Sequence, residues 1–389
     1  MARAYVLLAL FHLCCCEVQH ALRTKAGTPQ SSHMLDYRTI VHKLGYLSTM
    51  IGYQRSFVDY NETAERNDDR RHSFPFVTGD GFRSLADIVV EAPENVAAAC
   101  SLLISDSLFA QRLRPDQAAV VFVANDGMTF RALIDAKCVE NSARPVVFVS
   151  HNGDADGIAK THPILDHANV RVVFAQNCDG HHPKLTCIPI GLENRRWPRN
   201  GMIPEVLAGA MIGNLHGSSP ADVVSSPTSA HIAASCFTPG TYPTEREPLA
   251  ARNNGSAMGW IDKHCRHETF EFYRKLLRSA AVIAPRGNGK DTHRAWESLY
   301  LGRVIVTLSS SMDPLWEGLP VLMLKDWSQL SKDVIQKSVK AMSRPLRLQE
   351  YRTNTRKLFL DYWACLIGAA ADRRNEFCTM HGIKQVLSA

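Results

Sequence analysis

The sequence predicts an α/β protein with two Rossmann-like parallel-sheet domains. Three observations carry that reading. Short apolar runs recur along the chain, of the kind that form strands buried on both faces. Helical stretches alternate with them, a pattern that calls for right-handed crossovers between parallel strands. The runs also fall into two groups, parted by a stretch rich in Gly, Ser, Ala and Pro from Leu207 to Pro227.

Composition agrees. The 389 residues allow two or three domains. With 45% hydrophobic and 21% charged residues, 23 Gly and 19 Pro, the chain is neither disordered, collagen-like nor a coiled coil. No stretch reaches the roughly 20 apolar residues of a helical membrane span. The net charge of +6 suits an anionic ligand but is too weak and scattered to indicate nucleic acid.

Residues 1–20 read as a signal peptide or short anchor. Arg3 precedes an uncharged run from Ala4 to Cys16, which Glu17 ends. The run is short for a span and right for a signal peptide, with Cys14 and Cys16 as small residues before a cut. An uncleaved anchor aided by acylation of Cys14, Cys15 or Cys16 is the second reading, and a buried apolar helix the third. The first two place the chain in the secretory pathway, the second with membrane association through its N-terminus. Asn61-Glu62-Thr63 and Asn254-Gly255-Ser256 are acceptor sequons for N-glycosylation. Beyond the leader stand Cys100, Cys138, Cys178, Cys187, Cys236, Cys265, Cys365 and Cys378. Their even number permits disulfides of unread connectivity, buried free thiols being the alternative, and their spacing matches no zinc site.

An N-terminal domain is expected over 35–206. Turn residues Gly79-Asp80-Gly81 precede Val89 and Val90, and a helix fits Asn95 to Leu113. Strands are expected at Ala119–Val123, Pro145–Ser150, Val170–Ala175 and, more briefly, Thr186–Gly191, with a helix from Thr129 to Asn141. Polar residues beyond strand C-termini face the ligand crevice in such sheets. Asn125, Asp126, His151, Asn152, Asp154, Gln176 and Asn177 hold that position. Residues 207–230 read as a linker or insertion. A C-terminal domain follows over 231–389, with strands at His231–Phe237, Ala280–Ala284, Val304–Leu308 and Pro320–Leu324. Helices are expected at Glu268–Ser279 and Thr292–Leu301, and a long helical region, Leu348–Ala371, closes it.

The segment from Pro285 to Gly302 carries the chemistry. A strand runs into a Gly-containing loop and a helix starts at once. Gly287 and Gly289 let backbone turn tightly and approach a ligand. The first helical turn offers free N–H groups and the positive end of the helix dipole, capped by Asp291 or Thr292. Arg286, Lys290, His293 and Arg294 add cations, and Glu297 shares a helical face with Lys290 and Arg294. This suits a nucleotide diphosphate, with Glu297 placed for ribose hydroxyls. The phosphate-loop pattern fails because Asp291 follows Gly289-Lys290, and the dinucleotide fingerprint fails at Thr292. A plain strand-turn-helix without a ligand is the bland alternative.

Pro285-Arg286-Gly287, Arg294, Glu297, Asp313-Pro314-Leu315 and Gly318-Leu319-Pro320 together resemble the C-terminal region of exostosin-like glycosyltransferases (glycosyltransferase family 47). Val149 to Asp154, Phe174 to Asn177, His182 to Leu185 and Ile188 to Asn194 resemble earlier blocks of the same group. Phe76 to Asp87 is a third such stretch, and the likeness spans roughly residues 74–330. Arg303 departs from the Cys that relatives often carry there. The resemblance implies a GT-B-like architecture, two domains facing across a cleft. The C-terminal domain would bind a nucleotide sugar through Arg286, Gly287, Gly289, Lys290, Thr292, His293, Arg294 and Glu297. The N-terminal domain would take an acceptor glycan or glycoprotein. No metal cofactor would be required, with Arg286, Arg294 and the helix N-terminus steadying the departing diphosphate. Inversion would need a general base, for which Asp154 and His151 are the candidates, with Asp126 behind them. The setting implied is the Golgi lumen or membrane.

Two rivals stand beside this reading. Asp154-Ala155-Asp156 is a literal Asp-x-Asp, as used to hold a divalent ion in a metal-dependent sugar transferase. A non-catalytic lumenal glycan-binding protein is the other. His181-His182 reads as a polar loop, and Trp296, Trp316 and Trp327 as packing residues.

Overall fold

The computed structural model describes residues 75–154, 157–194, 207, 218–226, 231–263 and 269–379. Its first sheet holds β1 (Ile88–Val90), β2 (Ala119–Ala124), β3 (Val146–His151), β4 (Val170–Ala175) and β5 (Leu185–Cys187). All are parallel and lie in sequential order. The second sheet holds β6 (Ala233–Ala234), β7 (Ile261–Asp262), β8 (Ala281–Ile283), β9 (Val304–Leu308) and β10 (Val321–Leu324). These are also parallel, in the order β10-β9-β8-β6-β7. The α/β class with two parallel sheets is thus observed.

Around the first sheet lie α1 (Gly79–Arg83), α2 (Val96–Ser105) and α3 (Met128–Asp135). Next come α4 (Pro220–Ser225), α5 (Pro243–Asn253), α6 (Thr269–Leu277) and α7 (His293–Tyr300). The chain ends through α8 (Asp313–Trp316), α9 (Lys332–Met342), α10 (Pro345–Asn354), α11 (Leu360–Ala370) and α12 (Arg374–Thr379). The apolar runs of β2 and β3 are buried from Ala119 to Val123 and from Val146 to Val149, as strands covered on both faces must be.

In the second sheet the order reverses between β6 and β8. The chain leaves β6 for β7 on one side and continues from β8 on the other. Such a switch opens a crevice beyond the strands' carboxyl ends.

Several elements differ from expectation. The strand expected over His231–Phe237 is confined to Ala233–Ala234. The helix begun near Asn95 stops at Ser105, where Asp106 turns left-handed at φ 56°. The turn residues Gly79-Asp80-Gly81 form α1, whose N-terminus Thr78 caps by accepting the Gly81 N–H. The long closing helix is broken at a 3-10 turn, Thr355–Leu358, followed by extended Phe359. The cause is a return to the first sheet. Phe359 bridges to Phe76, and the Leu360 N–H donates to the Pro75 carbonyl at 3.0 Å. Helix α11 packs against β4 and α1, and the Ala118 N–H donates to the Ala371 carbonyl at 3.0 Å. Arg373 pairs with Asp87.

The larger apolar cluster reflects this return. It runs from the first sheet through Trp296, Tyr300, Trp316 and Phe359, so the two units share a core. Trp296 and Trp316 stack at 5.1 Å inside it, as packing residues. A second cluster, including Ile261, Ile283, Val304 and Val306, belongs to the second unit alone.

Cysteines pair as Cys100–Cys138, Cys178–Cys187 and Cys365–Cys378, and Cys236 is also disulfide-bonded. The leader, Asn61 and most of the 207–230 linker lie outside the described residues. The linker contributes α4, whose cap Ser219 forms a capping box with Asp222. Among the described residues, no helix is long and apolar enough to cross a membrane.

Candidate functional site

A cavity of about 460 Å³ opens where strand ends of both units meet. From the first unit it is lined by His151 to Asp154 beyond β3, Gln176 beyond β4, and Glu193 and Asn194. From the second come Arg246, the loop Gly287–Gly289, Asp291, Thr292 and His293.

The first unit's wall is a closed polar network. Asn152, left-handed at φ 62°, donates from Nδ2 to Asp80 Oδ1 at 3.3 Å and accepts the Asn194 Nδ2–H at 2.9 Å. Asn194 in turn accepts the Asp80 N–H at 2.9 Å. Glycine is required at position 79, because a β-carbon there would stand 1.7 Å from Asn152 Oδ1. His151 is held within this wall. Its Nδ1 accepts the Asn152 N–H at 2.7 Å and its Nε2–H donates to the Pro189 carbonyl at 3.1 Å. Burial pushes its imidazole down to about 4, against the help of the Pro189 and Asn152 bonds. It is therefore neutral at physiological pH, with both nitrogens engaged.

The second unit's wall is the loop that leaves β8. Arg246 on α5 organises it. Its guanidinium donates to the carbonyls of Arg286 at 2.7 Å, Thr238 at 3.1 Å and Pro285 at 3.4 Å. Thr238 follows β6 and Pro285 follows β8, so Arg246 ties together the segments that flank the switch point. Burial and the neighbouring Arg294 bring its pKa down to about 10, which leaves it cationic at pH 7. Thr292 is the N-cap of α7 with no side-chain cap bond, so the helix start presents backbone N–H groups.

Asp291 joins the two walls. Its carboxylate is 3% exposed and accepts from the N–H groups of Ile190 and Thr292, each at 2.8 Å, and from the Trp296 indole. Burial pushes it up to about 6 despite these donors. Further ties cross the same seam. Asp154 Oδ2 accepts the Asn288 Nδ2–H at 3.0 Å. Lys290 pairs with Asp179 at 2.8 Å and donates to the Ser311 hydroxyl at 3.0 Å. His293 donates from Nδ1 to the Gly191 carbonyl at 2.8 Å, and its Nε2 lies 3.4 Å from Glu193 Oε2.

Of the residues singled out from sequence, His151, Asp154, Gly287, Gly289, Thr292 and His293 line one cavity. Asp126 does not. It is exposed, and its carboxylate accepts the Thr129 N–H and hydroxyl at the start of α3. Arg286 stands over the Tyr242 ring at 4.4 Å and donates to the Asn288 carbonyl, outside the lining. Arg294 lies over Phe272 in different surroundings, beside buried Glu297, and neither lines the cavity. Burial raises the Glu297 pKa, with Arg294 opposing. Lys290 acts as a strut between units. Asp156 lies outside the described residues, and among those described no group of three His, Cys, Asp or Glu is placed to hold a metal. Arg246, Glu193 and Asn194 are among the lining residues that sequence reasoning passed over as site members. Glu193 and Asn194 stood at the end of the block from Ile188 to Asn194, and that position was the available signal.

No protein-family model matches the chain, and no curated protein sequence matches it. The site is thus defined by its own geometry: a polar cavity at strand ends of two parallel-sheet units, walled on one side by a Gly-containing loop and a helix start.

Proposed function

We propose that this protein is a glycosyltransferase of GT-B type that moves a sugar from a nucleotide-diphosphate sugar to an acceptor glycan or glycoprotein. The observation that carries the reading is the cavity wall formed by Gly287–Gly289, Thr292 and the start of α7, beside the switch point of the second sheet. Ligands in such sheets bind beyond the strand carboxyl ends, and diphosphates favour helix starts. Here the donor's diphosphate sits against this loop. The charge that grows on it as the glycosidic bond breaks is met by backbone N–H groups and by Arg246, which lines the cavity where Arg286 and Arg294 do not. The acceptor approaches from the wall of Asn152 and Asp154. The reaction in this reading uses no bound metal. The disulfides and the exposed Asn254 sequon suit an oxidising, glycosylating compartment, the secretory pathway and within it the Golgi.

Hydrolysis of a panel of UDP-, GDP- and CMP-sugars by the purified chain tests the proposal. Release of UDP or GDP from one class of donor supports it, and the CMP-sugars, which carry a single phosphate, are the control. Absence of turnover and of binding across the panel favours a glycan-binding protein instead.

A further inference from the structure

Resting on that reading, we propose that His293 takes the proton from the attacking hydroxyl, and that Glu193 stabilises the imidazolium so formed. By sequence alone His293 is one of several cations on the donor side. Its surroundings assign it a different task. A carbonyl can only accept, so the 2.8 Å contact with Gly191 fixes a proton on Nδ1, and in the neutral ring the lone pair is then on Nε2. Nε2 lies 3.4 Å from Glu193 Oε2, and both residues line the cavity. The other oxygen of Glu193 accepts the Asn194 N–H at 3.3 Å, which orients the carboxylate.

The groups around His293 match a base better than a fixed cation. It is the first residue of α7, where the helix dipole opposes a resting positive charge. Facing it are Glu193 from the loop after β5, Asp291 from its own loop and Glu297 from its own helix, with buried His151 behind. Carboxylates near one imidazole favour a proton arriving on the ring. The other candidates are otherwise engaged. His151 has both nitrogens bonded, Asp126 is off the cavity, and the Asp291 oxygens are taken by N–H donors. Asp154 is the remaining competitor, with one oxygen on Asn288.

The step balances. The acceptor O–H gives its proton to His293 Nε2 while its oxygen forms the bond to the anomeric carbon. The bond from that carbon to the phosphate oxygen breaks, and its electron pair leaves on the nucleoside diphosphate. The imidazolium then passes its proton to water. Attack from the face opposite the leaving group inverts the anomeric centre.

The test compares the full chain with His293→Asn, Glu193→Gln and Asp154→Asn. An Asn side chain can keep the bond to the Gly191 carbonyl while deleting the Nε2 position. Each protein is titrated with UDP, GDP and CMP, and hydrolysis of the matching nucleotide sugars is followed from acidic to alkaline pH. Melting temperatures confirm folding. H293N should bind the nucleotide within about threefold of wild type and lose about 100-fold or more in turnover. The rise of rate with pH on its acid side should vanish in H293N. In E193Q it should move to lower pH, with turnover down about tenfold, because the imidazolium has lost its counter-charge. D154N should keep the acid-side rise. Turnover in H293N within about threefold of wild type, or a fall matched by lost nucleotide affinity, overturns the proton role alone. Loss of the acid-side rise in D154N, or a wild type that binds donors without hydrolysing any, does the same. A wild type that neither binds nor hydrolyses any donor overturns the glycosyltransferase reading with it.

Discussion

The Asn177 side chain fills the space that a β-carbon on residue 289 would need, with Nδ2 only 2.3 Å from that position. Asn177 is itself left-handed at φ 53°, and its Oδ1 accepts the Asp291 N–H at 2.9 Å. Gly289 is therefore fixed by packing between the units rather than by room left for a ligand. Gly287 differs, since the nearest atom to its would-be β-carbon is at 3.5 Å. Gly289→Ala should destabilise the protein by about 1–3 kcal/mol through overpacking, and Gly287→Ala by less. Melting temperatures of the two variants check the ranking.

Asp291 and His151 should give opposing pH dependences. Asp291 holds its proton up to about 6 in the fold, above its ordinary value of 3.8. Its contribution to stability is present below about 4 and is lost as pH rises through about 6. His151 is lowered from 6.5 to about 4, so its contribution is present above 6.5 and is lost as pH falls through about 4. Over the shared window the slopes offset. Asp291→Asn removes one of them. Its destabilisation relative to wild type should shrink by about 2 kcal/mol between pH 4 and pH 7. Denaturation of both proteins across that range measures it.

Arg294 and Glu297 form a buried cluster with Tyr273, whose hydroxyl is raised well above its usual range by burial and by Glu297. Arg294→Ala leaves the Glu297 charge buried without its cation. It should cost about 3 kcal/mol, and Glu297→Gln in the same chain should restore part of the loss. A double-mutant cycle by chemical denaturation reads the coupling.

Chelation should leave donor hydrolysis unchanged. The proposed reaction draws its positive charge from Arg246 and the α7 start. Loss of turnover in EDTA, restored by Mg²⁺ or Mn²⁺, would favour the Asp154 and Asp156 motif instead.

Strand placement was legible because buried parallel strands leave continuous apolar runs, as at Val146–Val149. The loop from Gly287 to His293 was legible because a strand, glycines and a helix start follow each other without a gap. What the sequence hid lies in long-range contact. The broken closing helix depends on Phe359 meeting Phe76, and no local propensity encodes that bridge. Arg246 carries no motif that singles it out, and only the fold sets it between two strand-end loops. Arg294 and Glu297 have the right helical spacing, but the helix turns them toward Phe272 and Tyr273 and away from the cavity lining. Spacing fixes which residues share a face; only packing decides what that face meets.

Donor binding is read by a thermal-shift titration of the wild-type chain with UDP, GDP and CMP and their sugars. A ligand that binds only the folded state stabilises it by RT ln(1 + [L]/Kd), about 2.7 kcal/mol at a hundredfold excess over Kd. A rising melting temperature is expected with UDP or GDP and the matching sugars, and a weaker response in Arg246→Ala. No shift with any nucleotide at millimolar concentration would contradict it.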